Sequence, residues 1–336
     1  MAAIDFYKLE SDQKRTIFQQ IGVKLNIHPA AVEKDWWVVQ TLDLISKMSV
    51  GQYIVFKGGT SLSKSWNIIE RFSEDIDLVI DKKVLGIEEC KTVKQVKKLR
   101  SATRKYISEA FISELQKIFF QAGYEDVQIE LNTEEGENLE PVQISVIYKS
   151  HTNLSEYTLP RLKLEIGSRS LQEPYTNRQF SSLVGEYFSE KIFTDLPIEI
   201  ASANPERTFL EKTFLLHEEF QKPLKNIRVN RLSRHLYDIY RLMLLGYDDI
   251  ALSRKELYLE IIKHRKIYTK ISGVDYNLHL PQTLNPIPPE KILLAWERDY
   301  KTMQEEMIYG DSPSFNDLIK RIQELKEKIN NINWSY

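Results

Sequence analysis

One segment constrains the fold of this chain more than any other: residues 53–80 combine a buried strand, a glycine turn, a helix and a second strand. The apolar run 53–56 predicts a short strand that ends at the turn Lys57-Gly58-Gly59-Thr60-Ser61. Thr60 can cap the helix that follows, which we expect to continue to about residue 69. Asp75-Ile76-Asp77 then opens the second strand.

The two aspartates of that second strand predict a metal site. Residues two apart on a strand point to the same face, about 7 Å apart along the backbone. Asp75 and Asp77 can therefore converge on one or two cations while Ile76 faces the core. Magnesium takes one or two protein carboxylates together with substrate phosphates, so we expect Mg²⁺ or Mn²⁺ here, placed for an in-line phosphoryl displacement.

The glycine turn predicts a binding site for phosphates, formed by Lys57 to Ser61. Gly58 and Gly59 let the backbone approach a triphosphate, and Thr60 and Ser61 add hydroxyl groups. The N-terminus of the following helix attracts anions. Either motif alone is more often structural than functional, but the two in this order are far more specific.

Composition limits the remaining classes. Hydrophobic residues make up 42% of the 336, which is enough for a sizeable core, and the net charge of −2 gives no global bias toward nucleic acid. The single cysteine, Cys90, excludes an internal disulfide and a multi-cysteine zinc site. We expect a cytoplasmic protein without a signal peptide or a membrane span.

The pattern of elements predicts an α/β half followed by a helical half. Two N-terminal helices are predicted at 11–25 and 30–48, a long helix at 87–121, and further strands near 126–131, 142–148, 159–167 and 197–200. From residue 205 we expect helices near 205–220, 228–244, 253–271, 288–307 and 312–332. The predicted domains are a helical lead-in at 1–48, a mixed-sheet domain at 49–204 and an all-helical domain at 205–336.

A basic helix face lies within residues 91–105, which contain no acidic residue. Six cations share one arc of the helical wheel, opposite an apolar arc that includes Val93 and Val96. An ordinary solvated face explains this pattern, and so does a track for an RNA backbone. The candidate RNA-binding residues are Lys94, Lys97 and Lys98.

Residues 55–64 and 69–78 together resemble the AbiEii/AbiGii toxin family. These are nucleotidyltransferase-like toxins of type IV toxin–antitoxin and abortive-infection systems, within the DNA polymerase beta-like superfamily. The sequences at 33–38, 205–212 and 234–240 extend the resemblance over about 33–242. It implies a nucleotidyltransferase-fold mixed sheet flanked by helices, followed by a helical domain that completes the active site.

The resemblance also implies two site residues in the helical half, Lys212 and Asp238. Lys212 would neutralise triphosphate charge, and Asp238 would help hold the site. Without the resemblance, Lys212 is interpreted as an exposed lysine in a helical salt bridge. Asp238 is interpreted as part of a local ion pair with Arg234 or Arg241. Arg71 either neutralises phosphate or pairs with an aspartate.

Polymerase-beta-like sites usually take a third carboxylate from a neighbouring strand, and Glu165 is the candidate here. Alternation in 161–166 places Arg161, Lys163 and Glu165 on one face. The family more often has aspartate at this position. Glu165 is therefore a metal ligand, a base for the acceptor hydroxyl, or a solvent-facing residue paired with a lysine.

The resulting prediction is a metal-dependent nucleotidyltransferase that acts as a toxin in phage defence. It would transfer a nucleoside monophosphate from an NTP to RNA, with the tRNA 3′ end as the first expectation, and would have a cognate antitoxin encoded nearby. One alternative acceptor is a protein hydroxyl or a small molecule. A second alternative is a non-catalytic nucleotide-binding module, against which the intact Asp75 and Asp77 pair argues.

Overall fold

The computed structural model describes residues 2–73, 75–132, 141–153 and 159–334. The chain forms two compact units. The first contains Met1–Ser65 and Ser73–Ala203, and the second contains Trp66–Phe72 and Asn204–Tyr336. The short segment between the glycine turn and the Asp75-Ile76-Asp77 strand therefore belongs to the second unit, which its sequence position did not suggest.

A seven-stranded mixed sheet forms the centre of the first unit. Its order is β3-β4-β5-β2-β1-β7-β6. β2 pairs in parallel with β5, and β1 with β7, while the other neighbours are antiparallel. The strands are β1 (Ile54–Lys57), β2 (Asp75–Ile80), β3 (Gln128–Leu131), β4 (Val142–Ile147), β5 (Arg161–Gly167), β6 (Tyr175–Phe180) and β7 (Ile198–Ala203).

Seven helices of the first unit lie in the part of the chain that the structure describes. They are α1 (Ala2–Tyr7), α2 (Ser11–Leu25), α3 (Pro29–Ser46), α4 (Gly58–Lys64), α5 (Val93–Tyr106), α6 (Ile112–Gln121) and α7 (Leu183–Tyr187). The single helix predicted at 87–121 is wrong in detail. The helical segment begins only at Val93, where Thr92 and Gln95 form a capping box. A π-helical turn at Ile107–Phe111 then separates α5 from α6.

The main core of the first unit lies between one face of the sheet and α3. The predicted apolar stripe of α3 is confirmed, since Val32, Trp36 and Val39 are buried. They belong to the same cluster as the alternating strand residues Ile76 and Leu164. Because β2 alternates, its other residues face the opposite side of the sheet, away from this core.

The second unit is helical, as the sequence predicted. Its helices are α8 (Pro205–Phe220), α9 (Ser233–Leu244), α10 (Tyr247–Ser253), α11 (Lys255–Tyr268), α12 (Leu293–Glu306) and α13 (Phe315–Asn330). The sequence missed α10. The segment Trp66–Phe72 is held in this unit by backbone hydrogen bonds, from Phe72 N to Met307 O at 2.7 Å and from Tyr309 N to Glu70 O at 3.0 Å.

Candidate active site

A row of polar residues crosses four strands on the side of the sheet opposite the main core. Lys57 of β1 lies opposite Asp77 of β2, Asp77 lies opposite Glu165 of β5, and Gln143 of β4 lies opposite Glu165. Residues paired in this way project from the same face, and neighbouring strands lie about 4.8 Å apart. The sheet therefore places the carboxylates of Asp77 and Glu165 side by side.

Asp75 belongs to the same face, two residues before Asp77. It lies opposite Lys163 of β5, while Ile76 between the aspartates is fully buried. The prediction that Asp75 and Asp77 share a face with Ile76 turned into the core is thus confirmed.

The glycine turn touches this row directly. Gly58 has φ +79°, a conformation that favours glycine, and a Cβ at this position would overlap the carboxylate of Asp77. α4 begins at Gly58 with Lys57 as its N-cap residue, so the predicted cap at Thr60 is wrong, as is the predicted extension to residue 69.

The hydroxyls of the turn are buried rather than presented to solvent. Thr60 is 3% exposed and its Oγ1 donates a hydrogen bond to the carbonyl of Asp75, which ties α4 to β2. Ser61 is 1% exposed, and its Oγ has no hydrogen-bond partner within the described residues. Lys57 and Gly58 are the accessible part of the turn, while Gly59 is buried.

Glu165 already has partners in this structure. Lys163 Nζ lies 2.9 Å from its Oε1, and Gln143 Nε2 donates to the same oxygen at 3.3 Å. Neighbouring like charges on paired strands repel, and Lys163 offsets part of the repulsion between Asp77 and Glu165. The pairing with lysine was one of the interpretations left open by the sequence, and neither Lys163 nor Gln143 had been singled out as a site residue.

The donor set on this face fits a hard divalent cation. In the part of the chain that the structure describes, no three His, Cys, Asp or Glu side chains form a group that could hold a metal ion. Magnesium needs only one or two protein carboxylates when substrate phosphates and water supply the other oxygens. Asp75 and Asp77 meet that requirement, with Glu165 adjacent.

A second cluster of the predicted residues lies within the second unit. Asp238 of α9 is fully buried and accepts hydrogen bonds from Arg71 Nε at 2.7 Å and Arg71 Nη2 at 2.8 Å. Lys212 Nζ of α8 lies 2.8 Å from Asp238 Oδ2 and is 7% exposed as a residue. The expectation of an exposed Lys212 is therefore wrong, and Arg71 and Lys212 come from elsewhere in the chain, so Asp238 is not confined to a local helical pair.

Burial and charge set the protonation of this cluster. Burial alone would raise the pKa of Asp238, but Arg71 and Lys212 outweigh it and hold that pKa well below its usual range. Burial lowers the pKa of Lys212, with Arg71 adding to the effect and Asp238 opposing it. Two cations thus share one carboxylate, which leaves an excess of positive charge in a buried place.

His235 lies beside this cluster, with its Nδ1 3.4 Å from Lys212 Nζ. It is packed, with 8% of its surface exposed. Burial lowers the pKa of His235 well below its usual value, and Lys212 and Arg234 lower it further. The imidazole is therefore neutral at pH 7 and adds no positive charge.

The basic face of α5 is exposed in the first unit. Lys94, Lys97 and Lys98 are exposed, and no described residue forms an ion pair with any of them. Val96 and Leu99 are buried beneath, whereas Val93, which the wheel placed on the apolar arc, is 38% exposed.

No described helix is long and apolar enough to cross a membrane.

The buried side of α5 is anchored to the residue that follows β5. Thr103 Oγ1 lies 2.5 Å from the Oγ of Ser168, which follows β5. Ser168 is three residues beyond Glu165, a rise of about 10 Å along the strand.

A family model and a solved structure are similar to this chain. No curated protein matches the chain. Among solved structures, MenT4, a nucleotidyltransferase toxin from Mycobacterium tuberculosis H37Rv, is similar at 15% identity and a TM-score of 0.43, covering 96% of this chain and 99% of that one. The model of the family described as nucleotidyl transferase AbiEii toxin, type IV TA system, matches residues 41–326. That match spans most of the chain, and the protein therefore belongs to the AbiEii nucleotidyltransferase toxin family of type IV toxin–antitoxin systems.

Proposed function

We propose that the chain transfers a nucleoside monophosphate from an NTP to a hydroxyl of RNA, with the tRNA 3′ end as acceptor, in a reaction that depends on Mg²⁺ or Mn²⁺. Family membership supplies the coarser statement, a nucleotidyltransferase toxin with an NTP substrate and an antitoxin partner. Blocking RNA ends in this way would stop growth, which suits a role in phage defence. The observation that carries the proposal is the contact of Gly58 with the Asp77 carboxylate, beside Glu165.

We assign the chemistry on the sheet face as follows. Asp75 and Asp77 would hold the cation, which when bound supplies charge stabilisation to the α-phosphate and to the departing pyrophosphate. The acceptor oxygen forms a bond to the α-phosphorus, and the bond from that phosphorus to the bridging oxygen of pyrophosphate breaks. Glu165 would take the proton of the acceptor hydroxyl, after releasing Lys163.

The accessible part of the glycine turn suits the triphosphate. Lys57 and Gly58 offer a cation and a backbone without side chain next to Asp77. Gly59, Thr60 and Ser61 shape the turn, and their backbone N–H groups and the unpartnered Ser61 hydroxyl are the remaining donors.

For the second unit we propose a nucleotide role for Lys212. Two cations against one carboxylate leave positive charge that a triphosphate would neutralise. Arg71 donates from Nε and Nη2 to Asp238 and from Nη1 to the carbonyl of Phe72, and it is buried, so we assign Arg71 to holding Asp238 rather than to phosphate.

The choice of RNA as acceptor rests on α5. Its exposed lysines lie in the same unit as the carboxylates, and transfer to a small acceptor would need no such face. A polyanionic backbone is the partner that a row of unpaired lysines fits.

The test is transfer of label from each of four α-labelled NTPs in the presence of total RNA, with Mg²⁺ or with EDTA. The expected result is labelled RNA from one or more NTPs, lost with EDTA and lost when the RNA 3′ ends are oxidised beforehand. Label found only in protein or in a small molecule would replace RNA as the acceptor. Binding of NTP without any transfer would favour the non-catalytic module.

A further inference from the structure

The helix α4, which carries the glycine turn, is too short to fix its own position. It has seven residues, and isolated helices shorter than about 12 residues are marginal in water. Its place relative to the carboxylates must come from contacts with the elements around it. The transfer proposed above depends on that place, because Gly58 at its first residue lies against Asp77.

An ion pair at the other end of α4 joins it to α3. Lys64 Nζ lies 2.8 Å from Asp35 Oδ1, and the two side chains are only 10% and 12% exposed. The second oxygen of Asp35 accepts a hydrogen bond from Leu183 N, the first residue of α7, at 2.7 Å. One buried carboxylate thus ties three helices together.

Further hydrogen bonds complete the attachment of α4. The Oγ of Ser65 accepts from Ser202 of β7 at 2.8 Å, and the carbonyl of Ser65 accepts from Arg178 Nε of β6 at 3.0 Å. Thr60 is tied to the carbonyl of Asp75. With α4 held in this way at both ends, a shift of Lys64 would be transmitted along the helix to Gly58.

A buried ion pair contributes little net stability, because desolvation of the two charges offsets their attraction. What it supplies is a fixed geometry. Misplacement of a substrate-binding group by about 1 Å can reduce a rate by about 10²-fold. The ion pair of Lys64 and Asp35 therefore matters for the position of α4 more than for the stability of the fold.

We propose that Asp35 and Lys64 are positioning residues for nucleotidyl transfer, which set the place of the glycine turn against Asp77. The inference rests on the proposed function, since the turn is taken to hold the triphosphate. Neither residue contacts the substrate in this account.

The test compares variants that change the pair without leaving a lone buried charge. Asp35→Asn combined with Lys64→Met removes both charges and retains an oxygen for Leu183 N. Lys64→Arg retains the ion pair and serves as the rescue. Lys47→Met is the matched control, because it breaks an ion pair with Asp43 on the same helix α3 but at its solvent-exposed side.

Two measurements are made on each folded variant: kcat and KM for the NTP, and hydrogen exchange of peptides covering residues 58–65. We expect the double variant to lose at least tenfold in kcat per folded molecule and to exchange faster in this segment. Lys64→Arg should stay within about threefold of the wild type, and Lys47→Met should match it.

An unchanged kcat together with unchanged exchange in the double variant overturns the proposal. So does a lower melting temperature with unchanged kcat per folded molecule, which would make the pair merely structural. If the wild type turns over no NTP, the proposed function fails separately. Hydrogen exchange in residues 58–65 then tests the positioning role alone, and unchanged exchange in the double variant overturns it.

Discussion

At the scale of single residues, Asp238 is a predicted site residue whose partners and charge are set by burial. A lysine on a helix flank was expected to be exposed, yet Lys212 is buried and shares the carboxylate of Asp238 with Arg71. Removing Lys212 and removing Asp238 should therefore affect stability to different extents, because the first change relieves the excess of positive charge and the second increases it.

We predict that Lys212→Met changes the free energy of unfolding by no more than about 1 kcal/mol, because a neutral pair of Arg71 and Asp238 remains. NTP binding should weaken at least tenfold. Asp238→Asn leaves two buried cations without a counter-charge and should lose about 3–5 kcal/mol. Denaturant unfolding and NTP titration of both variants check this, and equal destabilisation by the two would contradict the charge assignment.

Gly58→Ala should abolish transfer. The position has φ +79°, and the added methyl group would overlap the Asp77 carboxylate. The matched control is Gly86→Ala, where φ is +67° but nothing lies within 4 Å of an added Cβ. Both should lose about 1 kcal/mol from the backbone conformation, but only the first should lose transfer. Equal transfer activity of the two variants would show that the close contact between Gly58 and Asp77 is not needed for transfer.

At the scale of elements, the sequence predicted those whose pattern is local and missed those set by their neighbours. β1 and β2 appeared as apolar runs beside turn residues, and α3 as a stripe at helical spacing. β6 was missed because it is an edge strand with mostly exposed side chains and no apolar alternation. The early end of α4 does have a local signal, because Asn67, three residues after Lys64, has φ +51°, a left-handed conformation that asparagine tolerates and that ends a helix.

The packing of α8 and α9 predicts a stability that falls on acidification. Burial lowers the pKa of His217 to about 4, with His279 adding to the effect, and burial lowers that of His235 well below its usual value. Both pKa values are depressed in the folded state, so the unfolded chain binds more protons below pH 6.5.

We therefore expect the free energy of unfolding to fall from about pH 6.5 toward pH 4, by up to about 1.4 kcal/mol per pH unit for each histidine. Denaturant unfolding between pH 7.5 and 5 measures this. His235→Gln should flatten the dependence, because it removes one of the two buried imidazoles whose pKa is lowered in the folded state. A slope unchanged in His235→Gln would show that this imidazole is protonated in the folded state.

At the scale of the whole molecule, the carboxylates of one strand were predictable from the residues alone, whereas Glu165 on the neighbouring strand was a candidate only through the polymerase-beta-like pattern. Alternation alone placed Asp75 and Asp77 on one face. That Asp77 lies beside Glu165 depends on the strand order β5-β2-β1, which is set by long-range pairing. The link of Arg71 to Asp238 likewise joins residues far apart in the chain, through a segment that belongs to the second unit.

The whole molecule has a net charge of −2, so binding to RNA would depend on a local basic surface such as the face of α5. Reversing Lys94, Lys97 and Lys98 to glutamate should weaken RNA binding and lower the salt dependence, by roughly one unit of log–log slope for each lost phosphate contact. NTP binding should not change. The control reverses the exposed lysines Lys291, Lys301 and Lys320, which gives the same change in net charge. Equal slopes for the two triple variants would make the α5 face an ordinary solvated surface.

The assignment of the Asp75 and Asp77 face as the catalytic site is tested most directly by nucleotidyl transfer in Asp77→Asn, with Glu130→Gln on β3 as a control carboxylate of the same sheet. We predict that Asp77→Asn folds with a melting temperature near that of the wild type. Its Mn²⁺ binding should be weakened and its transfer should be lower by orders of magnitude, because a bound metal ion supplies several kcal/mol of charge stabilisation. Glu130→Gln should behave as the wild type does. Near-normal transfer by well-folded Asp77→Asn would contradict the assignment of this face as the catalytic site.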